Sequence, residues 1–458
     1  MLDGTHGDTG LARDGADRQR VGALRRHDPE EGVDDPSPTA TLVRHRLRLH
    51  LVHWTGYGLP VTNTSVLPPS SRPSGRIAAL DVVRGLAILG TLGTNIWVFS
   101  HPWGLLGMLA APVTPETGPA AEVTQLALMA LTQGKFLALL TLMFGVGLVI
   151  QHDAARRRER RWPGRYLWRA TLLLIDGAVN YVLIAEFDVL MGYAITGAIV
   201  AWLLLTRPRT QRVMIVVFGT LHVLLITAIV AFIATTPSAS GDLELPAGPS
   251  PYATDSFLGL AAFRLDNLAV FRAEPVLIGF LTLAMFLAGA HLFRAGVFGE
   301  TGGPLRRRLM IIGACALPVD LVLGIAGGTA GLLAERYLAA PLVALGVLGA
   351  TVELCRRFGT DGWVARRLQE LGKVALSAYL LQNLLGGAVF YGWGFGLAEF
   401  TAEWRVPVTV AAFVVVAALV TGFAHLWLRR FALGPVEWLW KRGAELGTKR
   451  SGDRPSLR

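Results

Sequence analysis

Ten apolar runs, each near the roughly 20 residues a helix needs to cross bilayer hydrocarbon, leave this chain few ways to fold. They cover residues 77–99, 123–150, 166–187, 189–206, 213–235, 276–293, 309–327, 337–355, 374–397 and 406–428. In lipid every backbone N–H and C=O must be satisfied internally, so such runs are expected to be helices. The fold expected is therefore all-α: a polytopic bundle of about ten transmembrane helices, or eleven if run 123–150 divides near Lys135. Charged residues make up 17% of the chain, against about 25% in a soluble domain. That is too few to cover a water-facing surface of this size.

The net charge of +10 could point to nucleic acid or to lipid, but the cations lie in short connections between apolar runs. Arginines crowd 156–165, 207–212, 306–308, 356–367 and 429–430, with Lys441 and Arg442 following. The opposite side receives only Arg264, Arg272, Arg336 and Arg405. The positive-inside rule then puts both termini in the cytoplasm of a multi-pass protein of the bacterial inner membrane. The lipid bilayer is the expected partner; nucleic acid is excluded, because no soluble basic domain surrounds the arginines.

Residues 1–75 lack an apolar start and read as a disordered cytoplasmic tail. Residues 76–235 form an N-terminal transmembrane half, 236–275 an extracytoplasmic loop with a short interfacial helix near 257–271, 276–442 a C-terminal half and 443–458 a disordered tail. The two cysteines, Cys315 and Cys355, have no spacing that suggests a disulfide or a zinc site, and no metal ligand set is read.

A charge at membrane depth must pair or face a cavity, which singles out a few residues. Asp81 and Arg84 share a face at the start of the first run, and Asn95 lies about three turns further along. His101 follows on the outer side, where it is either a general base or an ordinary interfacial residue. Lys135 lies mid-run and needs an anion or a partner among Asp81, Asp176 and Asp320. Asn180 lies within the third run, and Glu186 and Asp188 mark its tight junction with the fourth, where they either bind a cation or a sugar hydroxyl or form an ordinary acidic loop. Gln382 and Asn383 can bridge helices. Asp320, Glu353, His222, His291 and His425 read singly as packing hydrogen bonds, and Asp176 lies in the third run.

Together, Leu80-Asp81 through Asn95, Lys135 through Phe144-Gly145, Asp188 through Tyr193, Gly372 through Gly396 and Gly434 through Trp440 resemble the bacterial YeiB-like membrane proteins that carry the DUF418 domain. The resemblance runs over about 76–442 and is specific in the order of its pieces rather than in any one of them. That family is distantly similar to transmembrane acyltransferases, which share the Asp-x-x-Arg-Gly start and a later Asn. The resemblance implies transfer of an acyl group from a cytoplasmic donor, acyl-CoA, to an extracytoplasmic acceptor. Asp81, Arg84 and Asn95 carry over, with His101 in roughly the matching region. Where many relatives have a histidine this chain has Asn180, and an amide cannot act as a base near neutral pH.

Three functions stay open. The first is an acyltransferase with His101 as base, Asn95 orienting the carbonyl, and Arg84 and Lys135 holding the donor. The second is a transporter of a small or lipid-like solute using Lys135, Asp176, Glu186 and Asp188. The third is a non-catalytic membrane partner. A homodimer is also open.

Overall fold

A computed structural model describes residues 77–113, 118–236, 245 and 248–449. All regular structure among them is helical. The principal helices are α1 (Ala78–Ser100), α2 (Pro119–Thr132), α3 (Lys135–Arg157), α4 (Gly164–Leu183), α5 (Leu190–Leu203), α6 (Pro208–Thr235), α7 (Gly279–Arg294) and α8 (Gly303–Ala326). They continue with α9 (Ala340–Phe358), α10 (Trp363–Lys373), α11 (Ala375–Phe390), α12 (Arg405–Leu428) and α13 (Pro435–Lys449). The expected tail 1–75 lies outside the described residues. At the other end α13 continues through Lys449, into the segment expected to be a tail.

Each of the ten apolar runs contains helix, but fewer than ten qualify as spans. Among the described residues six helical stretches are long and apolar enough, or up to eight if each of two bent pairs is one span. The pairs are Leu268–Leu277 with α7, bent by 44°, and α10 with α11, bent by 92°. Helix α4 carries Arg165, Arg169 and Asp176. Helix α5 has 14 residues, about 21 Å of rise, short of a 30 Å hydrocarbon layer. The chain is a helical membrane protein; the number of crossings supported is six to eight.

Helix α1 is central and mostly buried, whereas α6 is mostly exposed and displays Val213, Val216, Leu221, Leu224 and Phe232 outward. Apolar attraction cannot drive helix pairing in lipid, so close backbone packing of small residues does the work. A Cβ on Gly85 would overlap the Leu368 carbonyl, and one on Gly372 the Asp81 carbonyl, so α1 and α10 touch backbone to backbone. Gly145 and Gly289 do the same for α3 and α7, and Gly313 and Gly346 for α8 and α9.

The sharp α10–α11 bend leaves the first N–H groups of α11 without helical partners. Glu437 of α13 supplies them. Its Oε1 accepts from Leu376 N (2.9 Å) and Ser377 N (3.3 Å), and its Oε2 accepts from Ser377 Oγ (2.5 Å).

Candidate functional site

At the end of the bundle opposite the arginine-rich connections, arginines turn inward. Arg264, on the short helix Phe257–Asp266, is 1% exposed. Its Nε donates to Glu186 Oε2 (3.1 Å), and its two Nη groups donate to the carbonyls of Val182 and Ile184 (3.1 Å each). It thereby satisfies carbonyls that the end of α4 leaves open. Arg272 donates to the carbonyls of Asp188 (3.1 Å) and Glu186, and its guanidinium lies 4.1 Å from the centre of the Tyr181 ring. Asp188 accepts from Asn180 Nδ2 (2.8 Å) at Oδ1 and from Met191 N (3.0 Å) at Oδ2, holding the start of α5.

Beside these clamps three helices are interrupted. Between α2 and α3, Gly134 has φ +71°, a conformation that favours glycine. A Cβ there would also meet the Arg336 carbonyl. Ahead of α9, Glu335–Ala339 forms a π-helical turn, a feature often found at functional sites. The third interruption is the bend at Ile278, a few residues after Glu274. One network ties the three together. Arg336 donates to Gln133 Oε1 (3.1 Å) and twice to Glu274 Oε1 (3.1 and 2.6 Å), which also accepts from the Tyr337 hydroxyl (2.9 Å).

Two recesses open around this network, about 360 and 410 Å³ measured out to their open mouths. They share Phe187, Val189 and Glu274. Asp188, Tyr193 and Arg272 add to the first; Thr91, Thr94, Asn95, Arg336 and Tyr379 add to the second. The enclosed space within them is only about 20 and 30 Å³, room for on the order of one water molecule each, so a larger solute requires the recesses to open. The lining carries two carboxylates and two guanidiniums, so its formal charge balances.

Behind the second recess lies a separate buried cluster. Lys135 Nζ is 2.6 Å from Asp320 Oδ2 and 3.1 Å from Glu335 Oε1, and it donates to the Ala130 carbonyl (2.5 Å). Lys135 opens α3 and uses one of its hydrogens on a carbonyl at the end of α2. Among the described residues no group of three or more His, Cys, Asp or Glu is arranged to hold a metal ion.

The residues singled out from the sequence divide accordingly. Asn95 and Asp188 line the recesses. Gln382 and Asn383 stand behind the second: Asn383 Oδ1 accepts from Asn95 Nδ2 (3.2 Å), and Gln382 Nε2 donates to Thr91 Oγ1 (3.3 Å). Asn180 and Glu186 brace the first from behind through Asp188, Arg264 and Tyr391, whose hydroxyl donates to Glu186 Oε1 (3.3 Å). Asp81 and Arg84, 3.9 Å apart, sit about 20 Å of helix rise from Asn95, at the other end of α1.

His101 is 4% exposed and lines neither recess. Its Nδ1 accepts from Trp103 N (3.1 Å) and its Nε2 donates to the Ala111 carbonyl (3.2 Å). Burial, with Arg405 nearby, lowers its pKa to about 4. Both ring nitrogens are occupied by backbone, which is the arrangement of a loop brace. Arg272, Glu274, Arg336 and Glu335 are absent from the sequence-based set. The one signal for the arginines is their place on the side that the positive-inside bias leaves nearly bare.

The family model described as a protein of unknown function, DUF418, matches residues 292–447. That segment includes Arg336, Tyr379 and Asn383 but not Asn95, Asp188 or Glu274. An uncharacterised protein of Bacillus subtilis (strain 168), YxaH, is 26% identical over 398 residues, covering 81% of this chain and 94% of that protein. The uncharacterised YeiB of Escherichia coli (strain K12) is 29% identical over 395 residues, covering 80% and 96%. An uncharacterised 39.9 kDa protein of Bacillus acidopullulyticus is 24% identical over 376 residues, covering 80% and 93%.

Proposed function

We propose that this chain, which belongs to the YeiB-like DUF418 family, binds a small zwitterionic or hydroxyl-rich solute in its paired recesses and moves it across the bacterial cytoplasmic membrane. The observation that carries this reading is the meeting of three interrupted helices in the network Gln133–Arg336–Glu274. Broken helices at membrane depth are how transporters bring backbone dipoles and unwound groups to a solute, and irregular backbone is tolerated there only where it is buried or lines a cavity. A solute bearing both charges can replace Arg336 and Glu274 as each other's partner without leaving either unpaired. The tyrosines and Phe187 supply apolar contact, and Thr91, Thr94 and Asn95 supply hydrogen bonds. The arginine distribution supports cytoplasmic termini, with α4 and α5 entering as a hairpin to complete ten crossings.

The full chain in lipid nanodiscs, screened by thermal shift against amino acids, sugars and polyols, tests the reading. It expects saturable stabilisation by one class, lost in Arg336→Gln and in Glu274→Gln. Absence of binding by every class tested overturns it.

Acyl transfer is the second reading, favoured by one observation: Asn95 lines the second recess. Because His101 is engaged by backbone on both nitrogens, the base would be Asp188 or Glu274 and the donor acyl-CoA. Transfer of label from radioactive acetyl-CoA, abolished by Asn95→Ala, would select it.

A further inference from the structure

Lys135, Asp320 and Glu335 are 3%, 0% and 0% exposed. They bring one positive and two negative formal charges into a dry interior. The ammonium has three hydrogens and donates to the Ala130 carbonyl (2.5 Å), the Gln133 carbonyl (3.4 Å) and Glu335 Oε1 (3.1 Å), while Asp320 Oδ2 lies 2.6 Å away as an ion-pair partner. No hydrogen remains for the other three carboxylate oxygens. Both Asp320 oxygens and Glu335 Oε2 find no hydrogen-bond donor among the described residues. Gly324 makes room for Glu335, since a Cβ there would crowd Oε2. Two ionisable neighbours make their hydrogen bonds elsewhere. Arg336, next in the π-turn, is held by Glu274 and Gln133. His222 of α6 contacts the Tyr337 carbonyl through Nε2 (3.0 Å).

An unbalanced charge in low dielectric is removed by protonation rather than tolerated. We propose that Lys135, Asp320 and Glu335 form a proton-binding site that holds one proton between the two carboxyl groups, and that its occupancy is coupled to the solute recess. The coupling rests on the transport reading; the proton site does not. With the proton bound the cluster is neutral; released to water, the proton leaves one net negative charge behind. The route of coupling is covalent. Lys135 adjoins Gln133–Gly134 in one helix break, and Glu335 adjoins Arg336 in one π-turn. Loosening the Lys135–Glu335 pair therefore disturbs the bond between Gln133 and Arg336, and Arg336 lines the second recess.

Infrared spectra of the purified full chain in lipid nanodiscs, without solute and at neutral pH, test the site. The expected result is a carboxylic acid C=O band that Glu335→Gln alone removes and Asp320→Asn alone also removes, because the surviving carboxylate then balances Lys135. Each replacement mimics the protonated acid in shape, and either one suffices if the other fails to fold. Lys135→Met should raise the band from one acid to two. A wild-type spectrum without the band overturns the proposal, as does a band untouched by both replacements. So does a band that sodium abolishes while raising thermal stability, which would make the ligand a metal cation. Solute binding that depends on pH in the wild type but not in Glu335→Gln supports the coupling; pH-independent binding in the wild type overturns the coupling alone. Failure to find any solute leaves the infrared result intact and counts only against the transport reading.

Discussion

Near the arginine-rich end Arg294 reaches Asp153 at 3.0 Å, with both side chains about a third exposed. In the opposite half Arg264 reaches Glu186 at 3.1 Å, with both side chains sealed from solvent. The contact is nearly the same length, yet the two pairs differ in what their loss would expose. At the wet end water replaces a missing partner, so the pair adds little. In the sealed half nothing replaces it, and the surviving charge bears its full desolvation penalty. Distance therefore says less about an ion pair here than the medium around it.

The strongest test removes the buried cation. Arg264→Ala strands Glu186 and should cost about 3–5 kcal/mol, read as a large fall in the thermal midpoint of the detergent-solubilised protein. A loss no greater than that of Arg294→Ala would erase the contrast.

Acid provides the next test. The folded pKa of His101 lies near 4, below its ordinary 6.5, because burial disfavours the charged ring. Its contribution to stability is thus complete above about pH 6.5 and is lost as pH falls toward 4, by up to about 3 kcal/mol. Thermal midpoints of the wild type should fall across that window more steeply than those of His101→Gln; parallel curves would reject the assignment.

A neutral bridge sits lower on the scale. Asn95→Ala breaks the contact with Asn383 and should cost about 0.6 kcal/mol, and no more than about 1.7, as for other polar helix contacts in membranes. Urea or thermal unfolding can rank it below Arg264→Ala. Smallest is Arg294→Ala, expected within about 1 kcal/mol and further reduced by added salt. A salt-insensitive loss would mean the pair is drier than its exposure indicates.

Helices were the legible part of this chain, because apolar length is a local property and hydrocarbon leaves the backbone no other satisfied form. Lys135 also announces itself, since an ammonium in mid-run requires a partner, and Asp320 is among the partners the sequence suggests. Glu335 and Arg336 do not stand out: they interrupt the chain between two apolar runs and resemble a loop. Only folding shows that Arg336 meets Glu274, 62 positions earlier. His101 fails for the opposite reason. A histidine beside a membrane surface looks available, and nothing in residue type reveals that the Trp103 amide and the Ala111 carbonyl occupy its ring. The span count falls short at two runs: α4 carries Arg165, Arg169 and Asp176, and α5 ends at Leu203 although apolarity runs on through Leu204 and Leu205.

Glu437 adds a constraint on biogenesis. The first amides of α11 are bonded by a carboxylate 61 residues downstream of Leu376. A ribosome delivering this chain exposes α10 and α11 well before the residue that closes the corner between them. That corner is therefore set only after Glu437 has been made, and a chain cut short before it would leave the membrane with the turn unlatched.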